Sequence, residues 1–130
     1  MAEGSPLAVR ATAGSLRAAE GLPVPHAWTS EGIVADAQGT GAHLLHLSVA
    51  VCVLNDTYRE ADRRGLPVAG VEVVADGGFD DSWASTGITY RLRVDSPATD
   101  EEIAGLVRVV DEVAEIPRAL RAGAAVARSS

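Results

Sequence analysis

The chain has 130 residues, enough for one domain with a proper core, and its hydrophobic share of 47% with few aromatics means that Val, Leu, Ala and Ile build that core. A net charge of −7, with eleven arginines and no lysine, excludes a nucleic-acid partner, which needs concentrated positive charge; arginine-only, alanine-rich usage is a high-GC coding bias. One cysteine excludes an intramolecular disulfide framework and a four-cysteine zinc site.

Met1 to Pro6 reads as a loose end. The opening MAEGSPLAVR has no cationic leader followed by an apolar run, so no signal peptide is expected. Leu7–Thr12 and Ser15–Glu20, joined at Ala13-Gly14, form one predicted hairpin, and His26–Ser30 and Ile33–Asp36, joined at Glu31-Gly32, form another. Gly21 to Pro25 reads as loop. Thr40 is the predicted N-cap of a long helix that runs to Gly65, where Gly65 and Pro67 stop it.

That helix, GAHLLHLSVAVCVLNDTYREADRRG, changes character along its length. Leu44 to Leu54 is nearly all apolar and is expected to be buried on every side; Asn55 to Arg64 is polar or charged and is expected to be half-solvated. The apolar half is too short to span a bilayer, so a cytoplasmic protein with no membrane partner is expected.

Beyond it, Val68–Ala75 reads as a strand, Asp76-Gly77-Gly78 as a turn, and Ile88–Val94 as a half-buried strand with Ile88, Tyr90, Leu92 and Val94 on one face. Phe79 to Ser85 fits neither pattern. Thr99 caps a second helix whose first turn carries Asp100, Glu101 and Glu102 and whose buried stripe is Ile103, Leu106, Val107, Val110 and Val113. Pro117–Ala122 is a short last helix, with Val113, Ile116 and Leu120 assigned to the core, and Ala124–Val126 a final strand. Strands, long helix, strands, amphipathic helix is the order of an α+β fold with helices on antiparallel sheet, one domain over 1–130: N-terminal strands 1–39, central helix 40–65, and 66–130.

Chemistry concentrates on the long helix. Cys52 sits at its middle, with Ser48 one turn before and Asp56 and Arg59 one and two turns after on the same face. This polar stripe either lines a pocket or, with Glu60 and Arg63, belongs to the solvated end. Cys52 itself is either a nucleophile or a small apolar core residue. His43 and His46 are three apart and share a face, so one can be a general base or hydrogen-bond a substrate. No acid or cysteine follows them at zinc spacing, so neither a metal nor a cofactor is expected. The bland alternative is that loop backbone satisfies both rings. His26, in a loop with Trp28, carries no signal.

The segments HLLHLSVAVC, NDTYREADRRGL and VAEIPRALRAG, with RGLPVAGVEVVADG between them, resemble the OsmC/Ohr family, the osmotically inducible protein C and organic hydroperoxide resistance proteins, over roughly Thr40 to Val126. The resemblance implies an intertwined homodimer in which long helices lie between antiparallel sheets and an apolar pocket lies at the subunit boundary. It implies a bacterial peroxide-stress role, with Cys52 in the place of the thiol that attacks the peroxide. The family's second, resolving cysteine would precede Pro117, where this chain has Glu115 and Ile116. Its helix glutamate would fall on Ala42, beside His43, and its arginine would come from Arg17 or Arg10.

Three functions stay open. The first is thiol-dependent reduction of an organic hydroperoxide through Cys52, with an external thiol as reductant. The second is acid–base chemistry on an apolar metabolite by His46, Asp56 or Glu115. The third is binding of a hydrophobic small molecule. The catalytic candidates are Cys52, Glu115 and His46; the substrate-binding candidates are Arg17, His43, Ser48, Asp56 and Arg59.

Overall fold

The computed structural model describes residues 4–130. One antiparallel sheet carries five strands in the order β2-β3-β1-β4-β5: β1 Val9–Gly14, β2 Leu22–Val24, β3 Ile33–Asp36, β4 Gly70–Phe79 and β5 Ser85–Asp95. Helix α1, Gly41–Arg63, crosses one face, with α2, Asp100–Val113, and α3, Glu115–Ala122, packed against it. This is the α+β arrangement expected from the element order.

The strand period of two explains the layering. Val9, Ala11 and Ala13 of β1 and Val71, Val73 and Ala75 of β4 are at most 2% exposed and face Ala50, Val53, Leu54 and Ala61 of α1. The small alanines of β1 let the helix lie close to the sheet. Arg10 alternates onto the other face and pairs there with Glu72 at 3.5 Å and Asp36 at 3.8 Å.

Thr40 caps α1 as expected, its hydroxyl accepting from His43 N, and Arg64 and Gly65 close it. Thr99 caps α2 in a reciprocal box with Glu102. The expected even burial of the apolar half of α1 is not found: Leu44 is 49% exposed, and Leu47, Ser48, Val51 and Cys52 are half-buried. The polar half is half-solvated as expected: Asp56, Thr57, Tyr58, Glu60 and Ala61 face inward, while Asp62, Arg63 and Arg64 are exposed. Glu60 is buried because Arg59, Arg63 and Arg64 surround it, at 3.1, 3.0 and 2.9 Å.

Several local expectations are corrected. Ser15–Glu20 and His26–Ser30 are not strands, while Leu22–Val24, expected as loop, is β2. Pro23 argues against a central strand, but β2 is a sheet edge, where a missing N–H costs no ladder bond. Asp76-Gly77-Gly78 lies within β4 instead of turning the chain. Gly77 serves close approach: a Cβ there would meet the carbonyl of Gly87 and sit 2.9 Å from His46 Nε2. The turn falls at residues 80–84, where Asp80 Oδ1 accepts from Ser82 N at 2.8 Å and Ala84 N at 3.0 Å. Ala124–Val126 is not a strand, and Ile116 and Leu120, expected in the core, are 37% and 39% exposed. The loose end expected at Met1–Pro6 lies partly outside the described residues; within them, Ser5 N–H is held by Asp76 Oδ2 at 2.7 Å. No helix among the described residues is long and apolar enough to cross a membrane.

Candidate functional site

Cys52 opens onto a cleft of 590 Å³ between α1, the β2–β3 region and the start of α3. Val24, Pro25, Ala27, Ile33, Val51 and Ile116 give it apolar walls; Ser48, Asn55, Asp56 and Arg59 of α1, His26 and Glu115 supply the polar groups. The helical spacing from Ser48 to Arg59 brings this stripe to one wall. The thiol lies 3.7 Å from Asp56 Oδ2 and 3.9 Å from Glu115 Oε2, and Ile116 N–H donates to Sγ at 3.4 Å. Ile116 is the second residue of α3, and the N-cap, Ala114, has no side chain able to accept this N–H. Cys52 thus supplies the acceptor that α3 lacks in its own sequence.

Arg59 ties the carboxylates together. Its Nη1 is 2.6 Å from Glu115 Oε1 and its Nη2 3.3 Å from Asp56 Oδ2. A second chain of bonds enters from the loop. Thr29 Oγ1 meets His26 Nδ1 at 2.9 Å, His26 Nε2 meets Asn55 Oδ1 at 3.1 Å, and Asn55 Nδ2 donates to Asp56 Oδ1 at 3.1 Å. The Asn55 carbonyl fixes the N–H on His26 Nε2, leaving Nδ1 to accept from Thr29. Sequence reasoning missed His26 and Asn55: no spacing links them, and only the fold brings the loop over α1.

Protonation follows from this geometry. Burial pushes the Asp56 carboxyl up to about 6; Glu115 beside it acts in the same direction, and Asn55 and Arg59 oppose it. Hydrogen bonding within the Asp56–Glu115–Arg59 cluster holds Glu115 down at about 2. Of two adjacent carboxyls, Asp56 therefore retains a proton first. The thiol is pushed above its ordinary value, first by burial, with the two carboxylates adding to it and the Ile116 and Glu115 N–H groups opposing. Burial also lowers His26.

Cys52, Asp56 and Glu115 are the one set of metal-type donors among the described residues, within 4.8 Å of one another. The Arg59 guanidinium already supplies the positive charge that a cation would bring.

The other sequence candidates lie elsewhere. His43 Nε2–H donates to Pro6 O at 2.8 Å, and His46 Nδ1–H donates to Leu7 O at 3.0 Å. Both rings fasten the segment before β1 to the start of α1, and His46 stacks on Phe79 at 6.0 Å. Neither histidine lines the cleft, nor does Arg17, which follows β1. Arg10 faces the far side of the sheet.

No protein-family model matches the chain, and no curated protein does. Solved structures do. An OsmC-like protein from Mycoplasma pneumoniae superposes with a TM-score of 0.58 at 14% identity, over 72% of this chain and 75% of that one. An OsmC-like hydroperoxide resistance protein from Jannaschia sp. CCS1 superposes with a TM-score of 0.51 at 15% identity, over 92% and 91%. The chain has the OsmC-like fold. The position before Pro117 carries Ile116 in this chain, and its amide meets Cys52. The carboxylate and guanidinium beside the sulfur come from Asp56, Glu115 and Arg59, not from Ala42 and the N-terminal arginines.

Proposed function

We propose that the chain reduces an organic hydroperoxide through Cys52, with Asp56 as general base and an external thiol as reductant. The observation that carries this is the only thiol of the chain, at an apolar-walled cleft, 3.7 Å from a carboxyl that burial raises to about 6. A base with a pKa close to the working pH combines the ionised form with useful proton affinity.

Cys52 rests as a thiol, since burial and two carboxylates disfavour the anion. The apolar walls hold the substrate's hydrocarbon part. Asp56 takes the S–H proton as sulfur attacks the terminal peroxide oxygen; the O–O bond breaks, and the alkoxide leaves with that proton as an alcohol. Cys52 keeps the OH as a sulfenic acid. A reductant thiol then displaces this OH as water, forming a mixed disulfide, and a second thiol molecule releases the cysteine. Arg59 and Glu115 position Asp56 and set its charge. The working unit in this proposal is a homodimer, supported by the exposed apolar Leu44, Ile116 and Leu120 along α1 and α3.

The test is turnover of cumene-type hydroperoxide with added dithiol. Cys52→Ser is expected to lose it entirely, and full activity in that variant would end the proposal. A second reading, acid–base chemistry on an apolar metabolite, rests on the divergent protonation of Asp56 and Glu115. It expects Cys52→Ala to keep the activity and Glu115→Gln to lose it. If the cleft only binds a hydrophobic molecule, ligand co-purifies and every variant alters affinity alone.

A further inference from the structure

We infer that the oxidised form of Cys52 closes onto the backbone nitrogen of Ile116 as a cyclic sulfenyl amide, a reversible cap that takes the place of a disulfide. This rests on the hydroperoxide reading, because it starts from the sulfenic acid formed there.

The geometry is specific. Ile116 N–H points at Sγ from 3.4 Å, the shortest approach to the sulfur of any protein group given above. This N–H is free for chemistry: the helical ladder of α3 begins with Arg118 N bonding to Ala114 O, so the Ile116 nitrogen carries no backbone bond whose loss would unwind the helix. Carboxylates flank the same sulfur on Asp56 and Glu115, able to accept the amide proton and to return it to a departing hydroxide. The chain has no second cysteine to form an internal disulfide and no lysine to form another sulfur–nitrogen link.

The step balances. The amide nitrogen attacks the sulfur of Cys52–SOH, the S–O bond breaks, an S–N bond forms, and the amide hydrogen leaves with the hydroxyl as water. No further oxidant is needed beyond the hydroperoxide that made the sulfenic acid. A sulfenic acid left exposed to excess peroxide goes on to the irreversible sulfinic acid, whereas the sulfenyl amide has no free S–OH to oxidise. Reduction reverses it: a thiol attacks sulfur, the nitrogen regains its hydrogen, and a second thiol frees Cys52.

The experiment is intact mass of the full chain after treatment with an organic hydroperoxide, without reductant, followed by peptide mapping. A monomeric product lighter than the reduced chain by two hydrogens is expected, with the Cys52 and Ile116 peptides joined, and added dithiol should restore the starting mass. With one cysteine, no internal disulfide can produce that loss. Ile116→Pro removes the N–H at a first-turn position where proline is tolerated. It is expected to gain two oxygens instead, while Ile116→Val, which keeps the N–H, is expected to show the same two-hydrogen loss. Hydroperoxide consumed with only oxygen-addition products in the parent, or a cross-link mapped to Asn55 or Arg59, overturns this inference and leaves the peroxidase reading standing. A Cys52 thiol that survives hydroperoxide untouched overturns both.

Discussion

Replacing Glu115 with glutamine tests whether carboxylates hold the thiol in its protonated form. Glu115 Oε2 lies 3.9 Å from Sγ. Coulomb's law gives about 4 kcal/mol for two charges at that distance in a partly screened site and about 1 kcal/mol in water. The Glu115 side chain is 55% exposed, so the lower figure applies. Removing it also releases Arg59, which then faces the sulfur with one carboxylate fewer to neutralise. Both effects favour the thiolate, and about 1 kcal/mol raises its population about fivefold below the titration midpoint. A more stable thiolate is a weaker nucleophile, which returns about half of the gain. Alkylation by iodoacetamide near pH 7 should therefore run two- to threefold faster, by roughly that balance, and the midpoint of its pH profile should move down. Arg59→Gln has the opposite sign: it strips the countercharge from both carboxylates, so the midpoint should move up. Both variants shifting the midpoint in the same direction would show that they act by loosening α3, and the electrostatic account of the thiol would be wrong.

Asp56 ties pH to both stability and turnover. Its carboxyl is raised from 3.8 to about 6, so the folded state prefers it protonated. That stabilisation is complete below the unfolded value and is lost as pH rises through about 6. Asp56→Asn keeps a neutral group at every pH and should be more stable than the parent at pH 8 by up to about 3 kcal/mol, a figure already net of the ion pair to Arg59; the advantage should vanish in thermal melts at pH 4. The same variant should lose hydroperoxide turnover by about 100-fold, the typical worth of a general base, while the parent's rate should rise with pH through about 6; a flat parent profile there would remove Asp56 from the mechanism. Leu54, 0% exposed between α1 and the sheet, marks the core: Leu54→Ala should cost about 2–5 kcal/mol in urea unfolding, and a loss under 1 kcal/mol would mean that α1 does not pack as described.

Wherever one helix periodicity decided the answer, the sequence was informative. Ser48, Cys52, Asp56 and Arg59 recur at helical spacing, and they share one wall of the cleft. Thr40 and Thr99 announced their caps because an N-cap is a local device. The failures involve partners far along the chain. Gly77 looked like a turn because glycine does turn chains, yet it is there to let Gly87 and His46 approach. His26 lies 29 residues from Asn55, and no local pattern can register that pairing. Glu60 is the exception: its partners Arg59, Arg63 and Arg64 are close along the chain, and what the local pattern did not show is that its carboxylate lies inward. The N-terminal strands are three to six residues long and get their identity from register with one another and with β4, not from their own alternation.

The least expected feature is the sign of the field at the sulfur. A thiol built for speed would sit among cations; Cys52 sits between two carboxylates, with amide N–H groups and burial pulling in opposite directions and burial prevailing. In the proposed chemistry these facts belong together. A chain with one thiol and no second cysteine to rescue it gains from a resting state that reacts slowly with whatever diffuses past. The carboxylate that suppresses ionisation is also the nearest base, so the proton is removed only when a bound peroxide accepts the sulfur's electrons. Arg59 is the hinge of that arrangement: it keeps Glu115 ionised and leaves Asp56 near its titration point. The division of labour between two carboxyls of the same chemistry is thus set by burial and by one guanidinium, and exchanging their exposures should exchange their roles.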